Sequence, residues 1–98
     1  MAVALLDCRM LNVRWIDNFV FSYGSRLTRV TIPDRVTRIG LGAFKYCKHL
    51  KGLYFQGNAP ALSEDAFAGD TNLTIYYVEG TAGWTSRYGG RPTALWRQ

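Results

Sequence analysis

The sequence predicts an α/β repeat solenoid, a right-handed coil of short parallel strands, loops and short helical turns with about 23 residues per repeat. Three observations predict it. The stretch from Leu27 to His49, LTRVTIPDRVTRIGLGAFKYCKH, is followed from Leu50 by a second stretch of equal length, LKGLYFQGNAPALSEDAFAGDTN. Superposed, they place Leu27 over Leu50, Val30 over Leu53, Ile32 over Phe55, Ile39 over Leu62 and Ala43-Phe44 over Ala66-Phe67. Leu73 opens a further copy at the same spacing, and upstream Val20-Phe21 precedes Ala43-Phe44 by the same interval.

The first segment, residues 1–26, reads as a degenerate copy. Val13 and Ile16 stand one period before Val36 and Ile39. Val3-x-x-Leu6-x-Cys8 matches Leu27-x-x-Val30-x-Ile32 if the loop that follows is one residue longer. The next two units are residues 27–49 and 50–72. An L-x-x-L-x-L core on a period of 20–29 residues is the pattern of a leucine-rich repeat.

Within each unit the residue types follow from the geometry they must occupy. Leu27, Val30 and Ile32 recur with the spacing of a short strand that turns one side inward. Pro33-Asp34 ends that strand, because proline has no N–H for a ladder and favours a turn. Val36 and Ile39 hold the returning loop against the core. Ala43, Phe44, Cys47 and Leu50 fall at i, i+1, i+4 and i+7, the spacing of one helical face. In the next copy Leu53, Phe55, Leu62, Ala66, Phe67 and Leu73 take the corresponding places. Ser63 is placed to cap a short helix whose first turn carries Glu64 and Asp65, with Gly69 at its exit.

The last unit, residues 73–98, departs from the pattern. Leu73, Tyr76 and Val78 are expected to continue the strand, but no Ala-Phe pair follows. Gly80, Gly83, Trp84, Tyr88, Gly89-Gly90, Pro92 and Trp96 come instead. The final coil of a solenoid has an open apolar end that needs a cover. Trp84, Tyr88 and Trp96 are expected to supply it. The whole chain is thus one domain of three units and a cap.

Composition excludes several classes of function. Of 98 residues 48% are hydrophobic and 19% charged, the balance of a folded chain. No apolar run reaches the roughly 20 residues of a membrane helix. The opening MAVALLDC lacks a basic n-region and a small-residue cleavage site, so no export signal is expected in it. Two cysteines and one histidine cannot complete a zinc site without carboxylates. Cys8 and Cys47 read as buried thiols more readily than as a disulfide, though the sequence does not decide between the two. No cofactor motif, nucleophile elbow or phosphate loop is present; Gly40-x-Gly42 is too short for one. His49, beside Lys48, reads as a surface residue. The chain is not expected to be an enzyme.

The net charge of +5 is unevenly placed. Arg26, Arg29, Arg35, Arg38, Lys45, Lys48 and Lys51 face only Asp34 within residues 26–51, a net of +6, whereas residues 52–98 come to −1. Such a cluster is the footprint of an anion or nucleic-acid binder. Here the charges are spread over strand, loop and turn, and a solvated surface explains them better.

At LTRVTIPDRVTRIGLGAFKYCKHL the chain resembles the BspA-type leucine-rich repeat family, whose pattern is an L-x-x-[VI]-x-[IL]-P strand, V-x-x-I-G, then A-F-x-x-C-x-x-L. Leu27, Val30, Ile32, Pro33, Val36, Ile39, Gly40, Ala43, Phe44, Cys47 and Leu50 all match. The tail LTIYYVEGTAGWTSRYGGRPTALW is similar to the segment that closes such repeats in bacterial proteins, so the resemblance covers about residues 13–98. It implies a large secreted or cell-surface protein that acts by adhesion and protein–protein contact. It carries no catalytic residues, and its Cys is a packing position. The small number of repeats and the missing signal depart from the family. They point to the C-terminal end of a longer surface product or to a remnant gene, and to the cytoplasm if the chain stands alone.

The outward strand positions are expected to be Asp7, Arg29, Thr31, Gly52, Tyr54, Ile75 and Tyr77, and function is expected on Arg29, Thr31, Tyr54 and Tyr77 among them, as a face for a protein or glycan partner. The alternatives are a purely structural end-cap without a ligand of its own, and a basic surface for anions. The N-terminal edge is expected to meet upstream repeats or a second copy.

Overall fold

The computed structural model describes residues 13–24 and 26–97. The expected first strand through Val3, Leu6 and Cys8 lies outside them. Eight strands follow in order: β1 (Trp15–Ile16), β2 (Arg29–Ile32), β3 (Arg38–Ile39), β4 (Gly52–Phe55), β5 (Ala61–Leu62), β6 (Thr74–Tyr77), β7 (Arg87–Tyr88) and β8 (Arg91–Leu95). They form two sheets, β1-β3-β5 and β2-β4-β6-β8-β7. Every pairing between coils is parallel, as a solenoid requires; only the β7–β8 hairpin is antiparallel.

The period appears directly in the register. Trp15 lies opposite Arg38 and Arg38 opposite Ala61, while Arg29 lies opposite Gly52. From β4 to β6 the step shortens by one residue, because Gly52 pairs with Thr74 and Leu53 with Ile75. Leu73 keeps its place after Leu50, so one residue is missing between Leu73 and the strand. The inward row of β6 is consequently Leu73 and Ile75, both fully buried, rather than the expected Leu73, Tyr76 and Val78.

The core is one row of apolar side chains inside the coil. Val30, Ile32, Ile39, Ala43, Phe44, Cys47, Leu50, Leu53 and Phe55 are each no more than 1% exposed. Leu62 packs against them while remaining half-buried. Phe21, Phe44 and Phe67 stack through successive coils, with ring centroids 5.3 Å and 6.2 Å apart.

The third side of the coil differs from the sequence expectation. Among the described residues there is no helix, and residues 41–46 and 64–69 run as successive turns. Two features prevent a helix. Phe19, Gly42 and Asp65, one period apart, have φ of 57°, 56° and 57°; Tyr23, Tyr46 and Gly69 have 61°, 57° and 82°. Each corner thus holds two left-handed residues, which interrupt right-handed helical geometry. The amides also alternate in direction. Ala43, Lys45 and Cys47 donate three residues back, to Gly40, Gly42 and Phe44, at 3.2, 3.0 and 3.3 Å. Gly42, Phe44 and Tyr46 donate instead to Glu64, Ala66 and Ala68 of the next coil, at 3.2, 2.9 and 2.6 Å. Phe19, Phe21 and Tyr23 do the same to Leu41, Ala43 and Lys45. A helix would spend all these donors within one coil. Here half of them join neighbours.

Beyond β6 the chain closes over the core. Gly89 and Gly90, with φ of 60° and 83°, make the two-residue turn between β7 and β8. Trp84 and Tyr88 lie against Phe55, at 5.0 and 5.6 Å, and Tyr88 reaches Phe67 at 5.8 Å. Their polar atoms are satisfied: the indole N–H donates to the Gly57 carbonyl and the phenol to that of Pro60. Trp96 does not join them. Ala94 lies opposite Tyr76, and Trp96, two residues on, shares its side of the sheet, away from the core.

Candidate binding face

Strands β2, β4, β6 and β8 turn one row inward and the other to the outside. The outward row of β2 is Arg29 and Thr31, that of β4 Gly52 and Tyr54, that of β6 Thr74 and Tyr76. Register then determines what meets what. Thr31, Tyr54, Tyr76 and Ala94 form one line across the four strands.

The ring of Tyr54 folds back over Gly52, where a Cβ would stand 2.7 Å from it. Arg29 is the register partner of Gly52, so the ring reaches the arginine, whose guanidinium carbon lies 5.0 Å from the ring centroid. On its other side Tyr54 stacks on Tyr76, 4.6 Å away and 4° from parallel. Trp96 meets Tyr54 edge-on at 5.2 Å. Arg29, Tyr54, Tyr76 and Trp96 thus make a continuous shelf, with Thr31 at its side.

The expected fourth member, Tyr77, lies elsewhere. It pairs with Phe55 and Leu95, and its ring stacks on Trp84 at 5.4 Å and 13°. The one-residue shortening after Leu73 exchanges Tyr77 for Tyr76, since a slip of one residue moves every side chain of a strand to the opposite face. Trp96 could have been placed by alternation along RPTALW, but only once β8 is known to join the sheet.

No charged side chain of the shelf opposes Arg29. The four strands carry two charged residues, Arg29 and Arg91. Arg91 is engaged, its Nε and Nη2 donating to the carbonyls of Leu73 and Thr71 at 2.9 and 3.1 Å. Arg29 is exposed, and Lys51, exposed too, stands directly before β4.

The groups with displaced pKa values are inside and hold structure. Asp70 stands one period after Cys47 and is 2% exposed. Its Oδ1 accepts the Cys47 amide at 2.7 Å, and its Oδ2 has no hydrogen-bond partner. Burial pushes its carboxyl up to about 7, against the opposing effects of that amide and of Arg91. Burial likewise raises the Cys47 thiol to about 11, the thiol donating to the Phe21 carbonyl at 3.1 Å. It also raises the Tyr88 phenol. Among the described residues no group of three or more His, Cys, Asp or Glu is placed to hold a metal. No helix among them is long and apolar enough to cross a membrane.

Residues 6–81 match the family model of the BspA type leucine-rich repeat region, described as having six copies. The chain belongs to that family. Its members are generally non-catalytic binding modules, and leucine-rich repeats generally mediate protein interactions. No curated protein and no solved structure matches this BspA-type chain.

Proposed function

We propose that this BspA-type chain is a non-catalytic protein-binding module whose partner lies on the outward face of β2, β4, β6 and β8. The observation that supports it is the parallel stack of Tyr54 on Tyr76 beside the exposed Arg29. Tyrosine, tryptophan and arginine are the side chains that most often carry binding energy at protein interfaces. Arg29, Thr31, Tyr54, Tyr76 and Trp96 form the proposed contact set, with Tyr76 in the role first expected of Tyr77.

Residues 73–98 are proposed to act as the closing segment of the coil, a role favoured by the contacts of Trp84 and Tyr88 with Phe55 and Phe67. Family members typically occur in surface proteins, so we assign the chain to the adhesive, cell-surface portion of a longer product.

Panning a displayed peptide library tests the binding role, with a Tyr54→Ser/Tyr76→Ser variant as the counter-target. Binders specific for the unaltered chain are expected. A library whose every binder tolerates both substitutions would overturn the assignment of the site.

A further inference from the structure

The chemistry left available on the shelf names its ligand more closely, on the premise that the shelf is the binding face. Both faces of the Tyr54 ring are occupied, one by the Arg29 guanidinium and the other by Tyr76. Trp96 packs on it in a T-shaped pair, ring centroids 5.2 Å apart. Tyr54 therefore has no free ring face on which a sugar could lie. What remains to Tyr54 and Arg29 is donors, the phenol hydroxyl, ring edges of positive polarity and the N–H groups of the stacked guanidinium, while the half-exposed Tyr76 and Trp96 keep apolar surface beside them.

Charge points the same way. No carboxylate lies on β2, β4, β6 or β8. Among the described residues Arg29 is the cation of this face, since Arg91 stands on the opposite side by alternation and is engaged by backbone carbonyls, and Lys51 and Arg26 lie near the starts of β4 and β2. Stacking on Tyr54 also orders the guanidinium, so a carboxylate meets a fork already oriented.

We infer that the shelf binds a short extended acidic peptide segment, a carboxylate seated on Arg29 and an apolar side chain against Tyr76 and Trp96. The size follows from the sheet. From β2 to β8 there are three strand spacings of about 4.8 Å, roughly 14 Å in all, which four or five extended residues span. A charge-assisted, forked contact of this kind distinguishes carboxylate from amide by about tenfold or more in affinity.

The experiment is fluorescence anisotropy with a fluorescein-labelled octapeptide Glu-Glu-Glu-Gly-Gly-Phe-Gly-Ser, its counterpart with Gln for every Glu, and unlabelled cellohexaose as competitor. The expected result is that the Glu peptide binds at least about tenfold more tightly than the Gln peptide. Arg29→Gln should remove that difference, Tyr76→Ser should weaken both peptides, and cellohexaose should displace neither. Equal binding of both peptides, lost in Tyr76→Ser, would keep the shelf as the site but overturn its acidic preference. Displacement by cellohexaose would overturn the peptide assignment in favour of a glycan. Binding of the Glu peptide indifferent to both substitutions would place it elsewhere on the basic coil and overturn the inference together with its premise. Failure of both peptides to bind would overturn the inference as well. Circular dichroism of each variant separates lost binding from lost folding.

Discussion

Tyr54 and Tyr76, on neighbouring strands, stack 4.6 Å apart and within 4° of parallel, while Tyr77, the very next residue, stacks on Trp84 beneath the sheet. Two adjacent tyrosines of like composition thus serve opposite sides of one strand. Tyr76→Ser gives up an aromatic pair worth about 0.5–1.5 kcal/mol beyond the area it buries, and should cost less than Tyr77→Ser. Tyr77→Ser, which removes packing from beneath the closing segment, should cost about 2 kcal/mol or more. Urea denaturation of the two variants checks the order; equal losses would contradict the placement.

The buried carboxyl of Asp70 predicts an uncommon pH dependence. Its ordinary pKa of 3.8 rises to about 7 in the fold, with burial the main cause. The folded state therefore holds the proton more tightly than the unfolded chain. This contribution to stability is complete below about pH 3.8, declines as pH rises towards 7 and is gone above it. The full span corresponds to roughly 4 kcal/mol. Asp70→Asn keeps an oxygen for the Cys47 amide and removes the charge. The variant should be more stable than the parent at pH 8 and close to it at pH 4, as denaturant midpoints at the two pH values would show. A difference independent of pH would exclude Asp70 as the titrating group.

The corners carry a further test. Asp65 occupies the left-handed position that Gly42 holds one coil earlier, with φ of 57° and 56°. Asp65 is exposed, so relief of its backbone strain is the main effect of replacement. Asp65→Gly should stabilise the coil by about 0.5–1 kcal/mol. Gly69→Ala should do the reverse and by more, because the added Cβ at φ of 82° would also run into the ring of Tyr46. Thermal melts of both variants, read as shifts of opposite sign, check the pair.

The inward row from Leu27 to Phe55 was legible because the side-chain period and the repeat period agree over two unbroken copies. Arg29, Thr31 and Tyr54 were legible as an outward row for the same reason. Tyr76 was not, since a single missing residue after Leu73 changes the face of every side chain that follows, and Leu73 itself gives no sign of it. The turns were misread as helix because i, i+1, i+4, i+7 is also the spacing of side chains gathered at a tight corner. Gly42 and Gly69, one at each end of such corners, were the available hint. Asp70 gives no sign of burial in its residue type; only its place one period after Cys47 marks it as interior. Gly89-Gly90 between Tyr88 and Arg91 carried a hairpin signal that an expected cap absorbed.

The same donors that replace the helix also shape how the coil forms. Phe19, Phe21 and Tyr23 on one turn, and Gly42, Phe44 and Tyr46 on the next, each bond a carbonyl 22 residues ahead, and the sheet pairs of the repeats span 22 or 23. Every coil up to β6 therefore closes a loop of nearly the same length, at an entropic cost of about 3 kcal/mol apart from the constant term, and the last closes one of 18 residues. The first two coils must meet that cost before either has a partner, and each later coil meets it against a finished template. Folding of this kind is expected to have one slow step, the making of the first pair, with later coils added quickly from there.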